Sequence, residues 1–254
     1  MLFSFLSLAS CKTTRDLFYY NNSLPNLKEN IKTIDEKGYS ALITEKGIIL
    51  GERKRQFDFE DDVKRNYNSL GNVIQEIYRK SNDSINFELT YKYWGTDTVF
   101  VSRKYFQDTV FSPYSIKFLA DKYFVTQFSE LFGYKTYFWK DKYSRKGRMK
   151  FSYVYENNSQ AKEIYLDSKR ISKYFTNSSI STSYNLDKSI WSILQKTYNL
   201  NNDDSTMSIS FPKQNKNTTY SYTYEYDSKS NWTKQVQFIN DTARFIIVRK
   251  IDYY

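Results

Sequence analysis

Histidine is absent from the sequence, which removes the side chain most often used as a general base near neutral pH and as a transition-metal ligand. Cys11 is the single cysteine, so neither a disulfide within the chain nor a zinc site built from cysteines can form. No metal and no cofactor is expected. Glycine and proline are scarce, 7 and 3 among 254 residues, and their scarcity beside many aromatics argues against disorder. There is no GxSxG, Walker-type or Rossmann-type motif, the spacings that expose a nucleophile or cradle a phosphate. The protein is therefore expected not to be an enzyme.

What is abundant favours strands. The chain holds 25 Tyr and 19 Phe, rings that suit a pleated surface better than a helix. Length allows either one large β domain or two ordinary ones. The clearest strand is Tyr220, Tyr222, Tyr224 and Tyr226 alternating with Ser221, Thr223 and Glu225, which puts all four rings on one face. Turn formers fill 227–231, and Trp232 then opens a second β-rich run through Val236 and Phe238, which predicts a hairpin. Such rings can stack on sugar faces. A long one-faced aromatic strand is more simply core, and core is the expectation.

The first ten residues, MLFSFLSLAS, are apolar or small and carry no charge. They are too few for a membrane-spanning helix, which needs roughly 20, but match a signal-peptide core. Leu8, Ala9, Ser10 and Cys11 resemble the bacterial lipobox, which implies cleavage before Cys11 and lipid attachment to it. On that resemblance residues 1–10 are a lipoprotein signal peptide and 11–29 a polar tether. Lys12 after the cysteine implies forwarding to the outer membrane.

YNSLGNVIQE from Tyr67 superposes without gaps on YDSKSNWTKQ from Tyr226, and weaker versions begin at Ile34, Ile43, Tyr143 and Tyr155. Gly38, Gly47, Gly71 and Gly147 fall where a hairpin turn needs positive φ. In the last copy Ser230 stands there instead. One-faced strands flank these turns, at 85–93 and 149–155 for example. The prediction is a mostly β fold, an antiparallel meander of repeated hairpins. A first hairpin region spans 30–112 and a second 113–254. One or two helices are expected on the sheet: Phe118 to Gly133, and the better case near 187–200, where Asp187 could cap an apolar stripe of Ile190, Trp191, Ile193, Leu194 and Tyr198.

Tyr226, Asp227, Asn231 and Trp232, with Tyr67, Asn68, Gly71 and Asn72, resemble YD-repeat proteins of the Rhs type, and more closely uncharacterised Gram-negative lipoproteins with a Y-D-x-x-G-N-W tract. The resemblance covers about a quarter of the chain. It implies hairpin architecture and an envelope location, and it carries over no catalytic residue.

The net charge of +10 draws polyanions to the surface. Its densest patch is Lys140, Lys142, Arg145, Lys146, Arg148 and Lys150, a candidate polyanion site or else a lysine-guarded hairpin tip. An envelope location makes anionic glycan or lipid headgroups the expected partners rather than nucleic acid. Together these features predict a membrane-anchored envelope lipoprotein acting as a non-catalytic binding or structural module. The alternatives are an accessory protein or enzyme acting on anionic glycans, and a cytosolic basic protein binding nucleic acid.

Overall fold

The computed structural model describes residues 27, 30–54, 62–94, 98–105, 114–121, 124–131, 135–143, 149–158 and 163–254. Among them one 17-stranded sheet runs through the chain. Its strands are β1 (Ile31–Thr44), β2 (Gly47–Arg53), β3 (Asp62–Tyr67), β4 (Val73–Arg79), β5 (Ile85–Trp94), β6 (Thr98–Tyr105), β7 (Tyr114–Asp121), β8 (Phe124–Leu131) and β9 (Lys135–Tyr143). β10 (Met149–Asn158), β11 (Glu163–Tyr174), β12 (Ser178–Tyr184), β13 (Ile190–Tyr198), β14 (Asp204–Phe211), β15 (Lys216–Tyr226), β16 (Trp232–Ile239) and β17 (Thr242–Tyr253) complete it.

The sheet closes on itself. From β3 to β17 each strand pairs antiparallel with the next. β1 joins the two ends, pairing with β3 through Ile34↔Arg65 and with β17 through Ile34↔Ile251. Of the 17 strands only β2 stands outside this ring, so sixteen close it. Closure removes the sheet edges that an open meander would leave exposed. The even number lets the first and last strands meet antiparallel, as alternating direction requires. β2 forms a hairpin with the far half of β1, on the side where β3 holds its near half.

Direction alternates around the ring, so the start of β1 and the end of β17 share one rim, here the terminal rim. Three turns on that rim are built alike. Asn68, Asn199 and Asp227 each accept two backbone N–H bonds at Oδ1, from Leu70 and Asn72, Asn201 and Asp203, and Lys229 and Asn231. In each the fourth residue is left-handed: Gly71 (φ 77°), Asn202 (φ 67°) and Ser230 (φ 61°). This is a three-residue hairpin loop, a tight turn followed by a left-handed residue. The distal rim uses a variant at 80–84 and 185–189. There the third residue supplies the acceptor, Asn82 to Ser84 N–H and Asp187 to Ser189 N–H.

The four rings of 220–226 lie on β15, and the 226–235 hairpin forms as predicted. Other expectations are corrected. No α-helix occurs among the described residues: of the stretch from Phe118 to Gly133, 118–121 falls on β7 and 124–131 on β8, the rest lying outside the described residues, and 187–198 falls on the β12–β13 turn and β13. Ile190, Leu194 and Tyr198 are four apart, a spacing that satisfies a helical stripe and one face of a strand equally. The β-branched Ile190, Ile193 and Thr197, together with sheet partners on both sides, select the strand. Asp187 does accept a backbone N–H two residues on, but in a turn. Gly38 is not a turn either; it lies inside β1. Gly47 does close the β1–β2 turn, with φ 111°. The expected 112/113 boundary lies outside the described residues; the strands on either side of it, β6 and β7, pair through Val101↔Ile116.

Candidate functional site: the inner wall

Side chains on the concave face of a closed sheet converge, whereas those on its convex face diverge, so burial tells the two apart. Following the register around the ring, one alternating set is buried: Ile34 and Glu36, Val63 and Tyr67, Glu76, Leu89, Val101, Ser172, Ser179 and Ser183, Ser192, Tyr220, Gln237 and Arg249, with Arg65 half-buried among them. This is the inner face. In the opposite set Lys92, Ser102, Lys104, Lys173, Gln195, Thr197, Thr206, Thr219, Thr223, Glu225 and Lys250 are exposed and polar, while Phe151, Tyr153, Ile171, Ile180, Ile193, Val236, Phe238 and Val248 share that face half-buried. Asp62 and Ile246 are buried outward-facing residues near the β2–β3 break. Ile246 sits between Tyr39 and Val236, and Asp62 binds Gly38 N–H (2.7 Å) and the Arg53 guanidinium.

Inside, where β16, β17, β1, β3, β4 and β5 meet, charges and rings form a continuous network. The Arg249 guanidinium lies over the Trp232 ring, 3.1 Å from its centroid, and its Nε donates to Glu36 (2.8 Å). Arg65 Nη1 stands 3.8 Å from the same carboxylate, while its Nε donates to Glu76 (2.8 Å). The other Glu76 oxygen accepts from the hydroxyls of Tyr91 (2.6 Å) and Tyr78 (3.2 Å). Burial works against the Arg65 charge, but Glu36 and Glu76 outweigh it and hold its pKa above the ordinary value. For Arg249 burial prevails over Glu36, and its pKa falls below that value. Burial likewise pushes the Tyr67 hydroxyl up to about 12, against the pull of Arg65 and Arg249. Each carboxylate of this network is matched to an arginine, which suits a clamp better than proton transfer.

Beside it the tyrosines of β15 form a second surface. Tyr224 donates to the carbonyl of Asp204 (2.7 Å) and accepts from Gln235 (3.0 Å). Tyr226 donates to Asp203 (3.0 Å) and accepts from Asn199 (2.8 Å). Burial raises the hydroxyl pKa of Tyr222 and Tyr224 above the ordinary range. The hydroxyls are fixed by neighbouring strands, so the rings are held at set angles. Tyr220 is buried; the others keep part of their surface open.

The sequence-predicted site residues fall elsewhere. Cys11 lies outside the described residues, as do Arg145, Lys146 and Arg148. Lys140 and Lys142 lie on β9 and Lys150, exposed, on β10, two strands that pair with each other. The inner-wall charges were not singled out from sequence. Glu36, Arg65, Glu76 and Arg249 are scattered over 214 positions, and only an ion at a core-facing parity in each strand hints at them.

No protein-family model and no curated protein matches the sequence. Among solved structures the chain is similar to a porin-like protein from Bacteroides uniformis ATCC 8492, with a TM-score of 0.57, 10% identity, and 89% of this chain and 98% of that one covered. A porin-like protein from Bacteroides vulgatus ATCC 8482 aligns with a TM-score of 0.48, 11% identity, and 90% and 99% covered. The first likeness is one of fold.

Proposed function

We propose that the chain is a lipid-anchored protein of the bacterial outer membrane whose barrel stands in water and acts as a non-catalytic binding module. The observation that carries this reading is the spread of charged and polar side chains over the exposed part of the outer face. A barrel that crosses a membrane presents lipid with an apolar band about 25 Å tall, and an outward lysine at the bilayer midplane costs about 2–4 kcal/mol. Here the most exposed outward positions carry lysine, threonine, serine, glutamine and glutamate, interspersed with half-buried Phe151, Tyr153, Ile171, Ile180, Ile193, Val236, Phe238 and Val248. Water is the solvent such an outer face suits, and Cys11 is the means of holding the barrel at the membrane. The fixed tyrosine rings of β15 suit stacking on sugar rings, and the net charge of +10 favours anionic glycan among the ligands.

Palmitate labelling and fractionation of cells test the anchor and the solvent together. The wild type should be labelled and stay with membranes until detergent is added, whereas Cys11→Ser should be unlabelled and released in buffer with an unchanged β spectrum. A Cys11→Ser protein that still needs detergent would mean that the barrel itself is inserted. That outcome belongs to a second reading, a transmembrane pore, favoured by the closed, even-numbered ring and by the likeness to a protein described as porin-like. Stepwise conductance in a planar bilayer would support the pore.

A further inference from the structure

β1 and β2 continue past the distal rim as a free ribbon. β17 follows β1 only as far as Ser40↔Phe245, and β3 only as far as Glu36↔Val63. From Ala41 onward β1 pairs, among the described strands, with β2 alone, through Ala41↔Leu50, Leu42↔Ile49 and Ile43↔Ile48. Both faces of the ribbon are aliphatic. Leu42 (49%), Ile43 (66%), Ile49 (47%) and Leu50 (46%) are about half exposed. β2 presents its second edge unpaired among the described strands, a long apolar edge of the kind that natural sheets ordinarily guard.

The sequence of β2 with the turn that precedes it is its own complement. Glu45 to Arg53 reads E-K-G-I-I-L-G-E-R. Laid antiparallel on a second copy about Ile49, it sets Ile49 against Ile49, Ile48 against Leu50 and Gly47 against Gly51. Glu45 and Lys46 form the turn before β2, so beyond the ladder Lys46 comes beside Glu52 and Glu45 beside Arg53, each pair occurring twice by the two-fold axis. Moving the register by one in either direction brings Lys46 towards Arg53 or Glu45 towards Glu52, and two steps one way bring Lys46 towards Lys54, juxtapositions of like charge at the ends of the ladder. Hydrocarbon cannot satisfy an open row of backbone N–H and C=O groups, but another strand can. Within one chain Arg53 already binds Asp62, so Lys46 and Glu52 are the pair that decides. We propose that β2 is a dimerisation edge, joining two copies of this chain into one four-stranded ribbon between their barrels.

The full-length chain in mild detergent, followed by light scattering, provides the test. The wild type should run as a dimer. Glu52→Lys and Lys46→Glu should each weaken association at least tenfold, and the double swap Lys46→Glu/Glu52→Lys should restore it. Ile49→Cys should give a disulfide-linked dimer on mild oxidation, lost when Glu52→Lys is added. These residues are at the surface, and far-UV circular dichroism should confirm an unchanged fold. A wild type that stays monomeric at tens of micromolar, or a double swap no better than the single changes, would overturn the proposal. So would a monomeric Cys11→Ser chain that floats with phosphatidylethanolamine–phosphatidylglycerol vesicles and ceases to do so in Ile49→Ser.

Discussion

Ser230 sits at φ 61° where the matching turn has Gly71 at φ 77°, and an L-residue pays a steric penalty there that glycine avoids. A Cβ built on Gly71 meets nothing within 4 Å, so the backbone angle alone should set the effect. Ser230→Gly should stabilise the fold by about 0.5–1 kcal/mol, and Gly71→Ser should destabilise it by a similar amount. Chemical denaturation of the two variants checks both signs at once. Arg249→Met leaves the Glu36 carboxylate buried beside one arginine instead of two, and a loss of about 3–5 kcal/mol is expected. Tyr67 differs. Its hydroxyl is buried without a hydrogen-bond partner among the described residues, so Tyr67→Phe should be neutral or stabilising. Because folding raises the tyrosine pKa, its contribution is complete below pH 10 and disappears as pH climbs through about 12. Tyrosinate absorbance and the β signal should therefore change together in that window, less steeply in Tyr67→Phe.

At the scale of the element, the five-residue turn is the unit that sequence reading recovered best. Tyr67 to Glu76 and Tyr226 to Gln235 superposed because a polar first residue, a left-handed fourth and a polar fifth are demanded by one hydrogen-bond pattern. The third copy, Asn199 to Asp203, has the same signature but was hidden under the expected helix. Asp227 is the copy with a charge. Burial disfavours its ionised form, yet Tyr253 and the N–H groups of Asn231 and Lys229 prevail and hold its pKa below the usual value. That contribution is present above about pH 4, the unfolded value, and is lost as pH falls through the depressed folded one. Asp227→Asn keeps an acceptor of the type found in Asn68 and Asn199. It should retain the turn while flattening this part of the acid limb, whereas Asp227→Ala should cost about 1–2 kcal/mol at neutral pH. Thermal melts from pH 2 to 7 separate the two.

Across the whole molecule, the inner network works as a clasp. Glu36 and Arg249 lie near opposite ends of the chain and bind each other across β1 and β17. Around them the chain ends are tied by Thr33 to Asp252 (2.6 Å) and by the Tyr254 hydroxyl to the Tyr67 carbonyl (2.6 Å). Removing Tyr253 and Tyr254 should therefore open the ring at this seam, seen as faster amide exchange in β1 and β17 before β8 or β12. Alternation, turn chemistry and aromatic content determined by themselves that this chain is mostly β and where its best hairpins bend, because those signals depend only on neighbours within about ten residues. The false helix at 187–200 arose where a spacing of four fits both periods. Closure into a ring, the division into inner and outer faces, and the pairing of Glu36 with Arg249 were decided only by tertiary structure. Each depends on which strand lies beside β1 after the chain has gone once around, and local residue patterns carry no record of that contact.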